Sequence, residues 1–313
     1  MRVDGPLRDA LTDGGRRCQD VAMGFDRNVL FALATSGRWE RGVRAIPAVE
    51  RMAWRAASRY VAGVGAPSAL EVARDLEGLG AAVSIDYFGE LVEDVATADR
   101  VAAEYARLID GLDGTKDVWP AIDLSHLGLD IDPYGCVERL AAIAERVPDG
   151  RRVQVGAEDA SRSEAVIGCV LSVAGSGLAD RLGATVQANL RRSPADLERL
   201  VAAGVHIRLV KGAYVEPADR AVPYGEPTDV AYLRLAHRLA EADAPFSLAT
   251  HDGVLREALL AALGARQVEQ LYGVRPEVVA DLVARGIPVR VYVPYGDSWF
   301  RYWMRRVAES RGV

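Results

Sequence analysis

From about residue 80 onward, short apolar runs alternate with helix-length amphipathic stretches. The runs at 82–87, 119–124, 152–156, 184–188, 206–210, 246–249, 267–271 and 289–293 read as eight strands. Longer segments such as 97–111, 134–146, 162–174, 194–203 and 228–242 separate them and read as helices. Strands that alternate with helices imply a parallel sheet with right-handed crossovers. Eight such units fit a closed (β/α)8 TIM-type barrel, which takes about 250 residues. The competing architecture, a doubly wound open sheet, lacks its Gly-rich dinucleotide fingerprint here. Ahead of the barrel, residues 25–79 read as an N-terminal helical segment, with Val43, Ile46, Val49 and Met52 at three-residue spacing. Gly63, Gly65 and Pro67 interrupt it, and Ser68 with Glu71 resembles a capping box opening the next helix. Residues 1–20 read as a loose polar tail, which divides the chain into 1–79 and a barrel over 80–313.

Composition narrows the partners. The 313 residues are 50% hydrophobic and 26% charged, enough for a sizeable core. A net charge of −6 and a pI near 5.4 give no overall pull toward nucleic acid or an anionic membrane. No apolar run approaches the ~20 residues of a transmembrane segment, and the N-terminus has no apolar signal core. Cys18, Cys136 and Cys169 are odd in number and far apart, so they form neither a disulfide framework nor a metal cluster. A cytoplasmic location follows, with peripheral membrane contact as the alternative. Of 38 basic residues only Lys116 and Lys211 are lysines. In a chain that uses arginine by default, each lysine marks a place where a compact ammonium suits.

In a barrel, chemistry sits where strands end. Arg208 lies within the fifth strand, with Lys211, Gly212 and Tyr214 at its mouth. A charged strand residue needs a partner, so an ion pair stitching the barrel and a catalytic cation are equally open. The sixth unit ends in Thr250, His251 and Asp252, which on its own reads as a helix cap. The fourth ends in Gln187, an amide suited to a flavin's polar edge or to stabilising a loop. After the eighth strand, Tyr302, Arg305, Arg306 and Glu309 share one helix face. Paired guanidinium forks suit a carboxylate, and arginines also suit a helix C-terminus. Four scattered histidines argue against a metal-dependent barrel hydrolase, and no metal is expected.

Taken in order, AVSIDYFGE at 82–90, 186–189, RLVKGAY at 208–214, ATHD at 249–252, LYG at 271–273 and VRVYVPYGDSWFRYWMRRVAE at 289–309 resemble the proline dehydrogenase family. The resemblance implies a barrel holding FAD, which takes hydride from C5 of L-proline at flavin N5. It implies Arg208 as the catalytic cation near N5. It gives cofactor contacts to Gln187, Lys211, Gly212, Ala213, Thr250, His251 and Glu309. Arg305 and Arg306 would clamp the substrate carboxylate, and Tyr214, Leu271, Tyr292 and Tyr302 would wall the ring. A quinone or oxygen would reoxidise the flavin.

Two positions depart from the family pattern. A lysine before Leu-Ser on the second strand is replaced by Asp123, and an aspartate ending the third strand by Gly156. Loss of a charge-assisted contact costs about 1.5–3 kcal/mol. Asp123 is therefore expected to face the pocket and bear on substrate choice. A modified imino acid in a biosynthetic oxidase, or a catalytically weak flavin-binding homologue, is the alternative.

Overall fold

The computed structural model describes residues 45–89, 91–300 and 302–304. Residues 1–44, 90, 301 and 305–313 lie outside it. These include the loose tail, the first part of the helical segment, and Arg305, Arg306 and Glu309.

Eight parallel strands close in sequence order into one barrel. They are β1 (Ala82–Tyr87), β2 (Val118–Ile122), β3 (Val153–Val155), β4 (Leu182–Gln187), β5 (His206–Val210), β6 (Phe246–Ala249), β7 (Gln267–Leu271) and β8 (Val289–Tyr295). The helices are α1 (Pro47–Ala57), α2 (Ala66–Gly78), α3 (Val95–Asp110), α4 (Pro133–Arg146), α5 (Ser163–Val173), α6 (Ser193–Ala202), α7 (Glu226–Glu241), α8 (Gly253–Leu263) and α9 (Pro276–Ala284). By internal contacts, Ala62–Asp297 is one compact unit and takes in α2 with the barrel. Residues 47–61 and 298–304 belong to a second unit. Within it, Trp54 on α1 meets the Trp299 ring edge-on at 5.2 Å.

Side-chain alternation along each strand sorts the chemistry. Val83, Ile85, Ile207, Leu209, Val289, Val291 and Val293 join the helix residues Leu108, Leu140, Val170, Leu200, Leu235 and Leu282 in one buried apolar layer. The alternate positions Ser84, Arg208, Ser247, Glu269 and Arg290 are buried and polar. Arg208 Nη2 donates to Ser84 Oγ at 3.1 Å, and β5 lies opposite β1 in the closed order. That contact must cross the lumen, so the interior of this barrel is a polar column inside an apolar sleeve.

Local chemistry fixes the helix starts. Asp94, Asp132 and Asp252 cap α3, α4 and α8, each accepting a backbone N–H two or three positions into the helix. The capping box read at Ser68–Glu71 does not form: α2 starts at Ala66 behind Gly65, with no side-chain cap. Pro67 sits in the first turn, where its missing N–H costs nothing and its fixed φ fits. The strand read at 119–124 stops at Ile122, because a 3-10 turn over Leu124–Leu127 begins after Asp123.

One helical run, Ser163–Arg181, is long and apolar enough to pass as a membrane span by composition. Gly177 breaks it at φ +92°, and the α-helical part is the 11 residues of α5. At 1.5 Å per residue that is about 16 Å, half a hydrocarbon core. Its face of Val166, Ile167, Cys169, Val170 and Val173 is buried in the apolar sleeve.

Tyr232 on α7 is fully buried, and its hydroxyl donates to Leu209 O on β5 at 3.0 Å. Tyr232→Phe leaves that carbonyl without the donor and should lower stability by about 1–2 kcal/mol. Urea unfolding should show a lower midpoint at unchanged slope.

Candidate active site

Arg208 and Glu269 form an ion pair inside the barrel. Arg208 Nε donates to Glu269 Oε2 at 2.7 Å, and Nη2 lies at the same distance from that oxygen. The other carboxylate oxygen accepts from Ser247 Oγ. Both ions are buried, Arg208 at 7% and Glu269 at 4% exposure. Burial alone would raise the Glu269 carboxyl, but the charge and hydrogen bonds of Arg208, with that of Ser247, outweigh it and hold the group below its usual value. The guanidinium also lies 5.8 Å from the centroid of the Tyr292 ring. The stitching ion pair foreseen for Arg208 is therefore present, and it fixes the cation one layer below the barrel mouth.

Above this pair, the ends of adjacent strands are tied to one another. Tyr292 donates its hydroxyl to Asp86 on β1. Gln187, the last residue of β4, donates Nε2 to Glu158 O at 2.7 Å. Tyr214 OH donates to Ala157 O at 3.2 Å. Ser125 N donates to Glu158 Oε1 at 2.7 Å, and burial, only partly offset by that bond, raises the Glu158 carboxyl. The short turn 156–158 after β3 thus anchors groups from β2, β4 and β5.

Asp123 stands beside that turn. A Cβ added to Gly156 would overlap Asp123 Oδ1, so the aspartate occupies the space a side chain at 156 would need. The half-buried Asp123 and Gly156 directly follow Ile122 and Val155, the paired last residues of β2 and β3.

On the far side, Lys211 Nζ sits 2.6 Å from Asp229 Oδ1 and 2.7 Å from Asp252 Oδ2. Burial would lower this ammonium, but its two carboxylate bonds outweigh that and hold it above the usual lysine value. Gly212 follows at φ +118°, and a Cβ there would overlap the Asn189 side chain. Only glycine satisfies both conditions. Thr250 Oγ1 accepts from Asp252 N at 3.1 Å, and His251 Nε2 accepts from Leu271 N at 3.3 Å. Asp252 caps α8 through Leu255 N at 3.0 Å, so the helix-cap reading of this segment holds as well. Ala213 is exposed in the loop after Gly212.

Gln187, Lys211, Gly212, Ala213, Tyr214, Thr250, His251, Leu271 and Asp123 therefore lie at or beyond the C-terminal ends of barrel strands, while Arg208 and Tyr292 are the middle residues of theirs. Tyr302 is buried and belongs to the second unit. Arg305, Arg306 and Glu309 lie outside the described residues. Sequence reading missed Glu269 and Ser84 as partners of Arg208, Ser247 as a partner of Glu269, and Asp229 and Asp252 as partners of Lys211. A signal for Glu269 existed: a carboxylate at an inward position of the short strand QVEQL. The described residues hold no cluster of His, Cys, Asp or Glu able to bind a metal.

A closed eight-stranded parallel barrel with a paired cation beneath a mouth of amides and tyrosines defines a (β/α)8 barrel of the TIM type. The family model described as proline dehydrogenase matches residues 69–313. A curated proline dehydrogenase from Deinococcus radiodurans is 33% identical over 281 residues, covering 84% of this chain and 90% of the relative. Proline dehydrogenase 1 from Bacillus subtilis subsp. natto is 32% identical over 262 residues, covering 81% of this chain and 86% of the relative. The chain belongs to the proline dehydrogenase family of oxidoreductases, whose members imply a flavin cofactor. The crystal structure of proline utilization A from Bdellovibrio bacteriovorus inactivated by N-propargylglycine matches with a TM-score of 0.76 at 18% identity, over 90% of this chain and 36% of that one. A mutant of the protein of that name from Bradyrhizobium japonicum matches with a TM-score of 0.66 at 21% identity, over 86% of this chain and 32% of that one. This chain thus spans about a third of those solved chains, and the likeness shows the fold.

Glu269→Ala leaves the Arg208 cation buried without its counter-ion. It should lower stability at neutral pH by about 3–5 kcal/mol. A carboxyl held low contributes stability that is complete above its unfolded value, near 4.3, and is lost as pH falls through its folded value. Acid-unfolding curves should therefore lose part of their acid limb in Glu269→Ala. An unchanged limb would mean the pair contributes nothing there.

Proposed function

We propose that this chain oxidises L-proline, or a proline-like cyclic imino acid, to the corresponding pyrroline with FAD as cofactor. The observation that carries the reading is the buried Arg208–Glu269 pair beneath a mouth holding unused acceptors. Gln187 Oε1 and Asn189 Oδ1 are both buried and meet no protein donor. Acceptors of this kind suit the imide edge of a flavin ring, so the residues present fit the group. Bound there, the flavin supplies the two-electron acceptor for the hydride leaving the carbon next to the ring nitrogen.

The protein's own contribution is positioning and charge. Arg208, fixed by Glu269 and Ser84, presents positive charge where negative charge develops. Tyr292, held by Asp86, and Tyr214, held by Ala157 O, stand as walls that orient a small ring and exclude water. Lys211, Gly212, Ala213, Thr250, His251 and Glu309 are proposed for the rest of the cofactor. For Lys211 this requires the ammonium to share its two aspartates with a phosphate. Arg305 and Arg306 are proposed for the substrate carboxylate, with Leu271 and Tyr302 on the ring. The barrel over 80–313 is proposed as the catalytic domain, in a cytoplasmic enzyme reoxidised by a quinone or oxygen. The two described cysteines, Cys136 and Cys169, are free and buried, which suits a reducing compartment. The visible spectrum of the purified protein should show a flavin band that L-proline bleaches anaerobically. No flavin band would remove the reading.

A second substrate reading rests on Asp123. Its carboxylate fills the space above Gly156, which suits a ring carrying an added hydrogen-bond donor. Gly156→Asp alone collides with Asp123, so the two positions have to change together. Asp123→Lys with Gly156→Asp should raise kcat/KM for L-proline by roughly 10-fold, the value of one recovered charge-assisted contact. An unchanged or lower kcat/KM in a variant that keeps its flavin would show that these positions do not set specificity.

A further inference from the structure

The floor of the lumen, below the Arg208–Glu269 pair, holds more hydrogen-bond donors than the protein uses. Three residues meet there around the Trp119 indole. Arg290 Cζ lies 3.3 Å from the centroid of a Trp119 ring and Arg152 Cζ lies 4.8 Å from it. The His206 ring meets the same indole edge-on at 5.3 Å. Arg290 is fully buried and well paired, donating to Val83 O at 2.5 Å and to Asp117 Oδ1 at 2.7 Å.

Arg152 is different. Among the described residues no carboxylate lies within 4 Å of it, and Asp117 and Asp180 act on it only from farther away. Its Nε is buried and meets no protein acceptor. Trp119 Nε1 and His206 Nδ1 are in the same condition, on side chains 6% exposed. An indole N–H and a guanidinium N–H can only donate. Left buried without an acceptor, each costs the desolvation of a polar group. Arg208 and Arg290 are each paired with a carboxylate, Glu269 and Asp117, whereas the half-buried Arg152 has Asp117 and Asp180 only at longer range. The cation without a paired carboxylate is thus Arg152, beside the unused donors. Burial, with Arg152, Arg290 and Arg208 nearby, pushes the His206 imidazole down to about 3, so the ring is neutral and adds no charge of its own.

We propose that the barrel floor binds a small monovalent inorganic anion, chloride, between Trp119 Nε1, Arg152 Nε and the His206 ring. Chloride accepts from several donors at once and would put a negative charge in direct contact with the one cation of the three that has no paired carboxylate. A water molecule could accept the same bonds but would leave Arg152 uncompensated. The site lies a layer below Arg208, so its occupancy is read in stability and does not depend on the proposed reaction.

The test compares sodium chloride with sodium gluconate at equal ionic strength, using thermal unfolding of the holoenzyme. Chloride should raise Tm by about 3–6 °C over gluconate in the parent, through mass action on the folded state. Arg152→Gln should abolish that increment. Equal Tm values in the two salts overturn the proposal, and so does an increment that survives in Arg152→Gln. Should Arg152→Gln fail to fold, bromide-soaked crystals of the parent decide. An anomalous peak among Trp119, Arg152 and His206 supports the site, and its absence there overturns it.

Discussion

A guanidinium buried inside a β-barrel is tolerable only with a carboxylate against it, and the Arg208–Glu269 pair meets that condition. Desolvating either ion alone costs several kcal/mol. Here both Glu269 oxygens are engaged, one by Arg208 and the other by Ser247, and Ser84 reaches Arg208 from the opposite wall. Four strands thus contribute to one hydrogen-bonded unit. The arrangement fixes where a positive charge stands, within 5.8 Å of the centroid of the Tyr292 ring.

Everything above that layer is a matter of aim. The barrel brings the eight strand ends to one face, and short ties between neighbours then set each side chain. The turn at 156–158 holds Gln187 and Tyr214 by its carbonyls and the β2 turn by the Glu158 carboxylate. Asp86 holds Tyr292. Groups fixed in this way need little reorganisation when charge develops, which is where preorganised sites gain rate. The same turn begins at Gly156, so substitutions at Asp123 and Gly156 would act beside the anchors of Gln187 and Tyr214.

Much of the fold was legible in the sequence because the sleeve of the barrel is apolar at every second strand position. Val289, Val291 and Val293 alternate with Arg290 and Tyr292, and that rhythm alone predicts an inward polar face. Asp252 was readable as a cap and proved to be one that also pairs with Lys211. Pairing across the lumen was not readable. Arg208 and Glu269 are 61 residues apart, and nothing local links them. Nor was the overlap of Asp123 with Gly156, since it depends on how far one side chain folds across a neighbouring strand. The capping box at Ser68 failed because a proline two residues into the chain's turn starts the helix earlier than the pattern of polar residues suggests.

In the proposed reaction, Glu269 acts by holding Arg208 in place. Glu269→Gln keeps the shape and removes the charge. The rate of flavin reduction by L-proline, followed by anaerobic stopped-flow absorbance on protein with full flavin content, measures the consequence directly. The expected result is a fall of about 10-fold or more, the scale of one lost charge-assisted contact, with further loss small when Arg208→Ala is added. A parent-like rate in Glu269→Gln would contradict it.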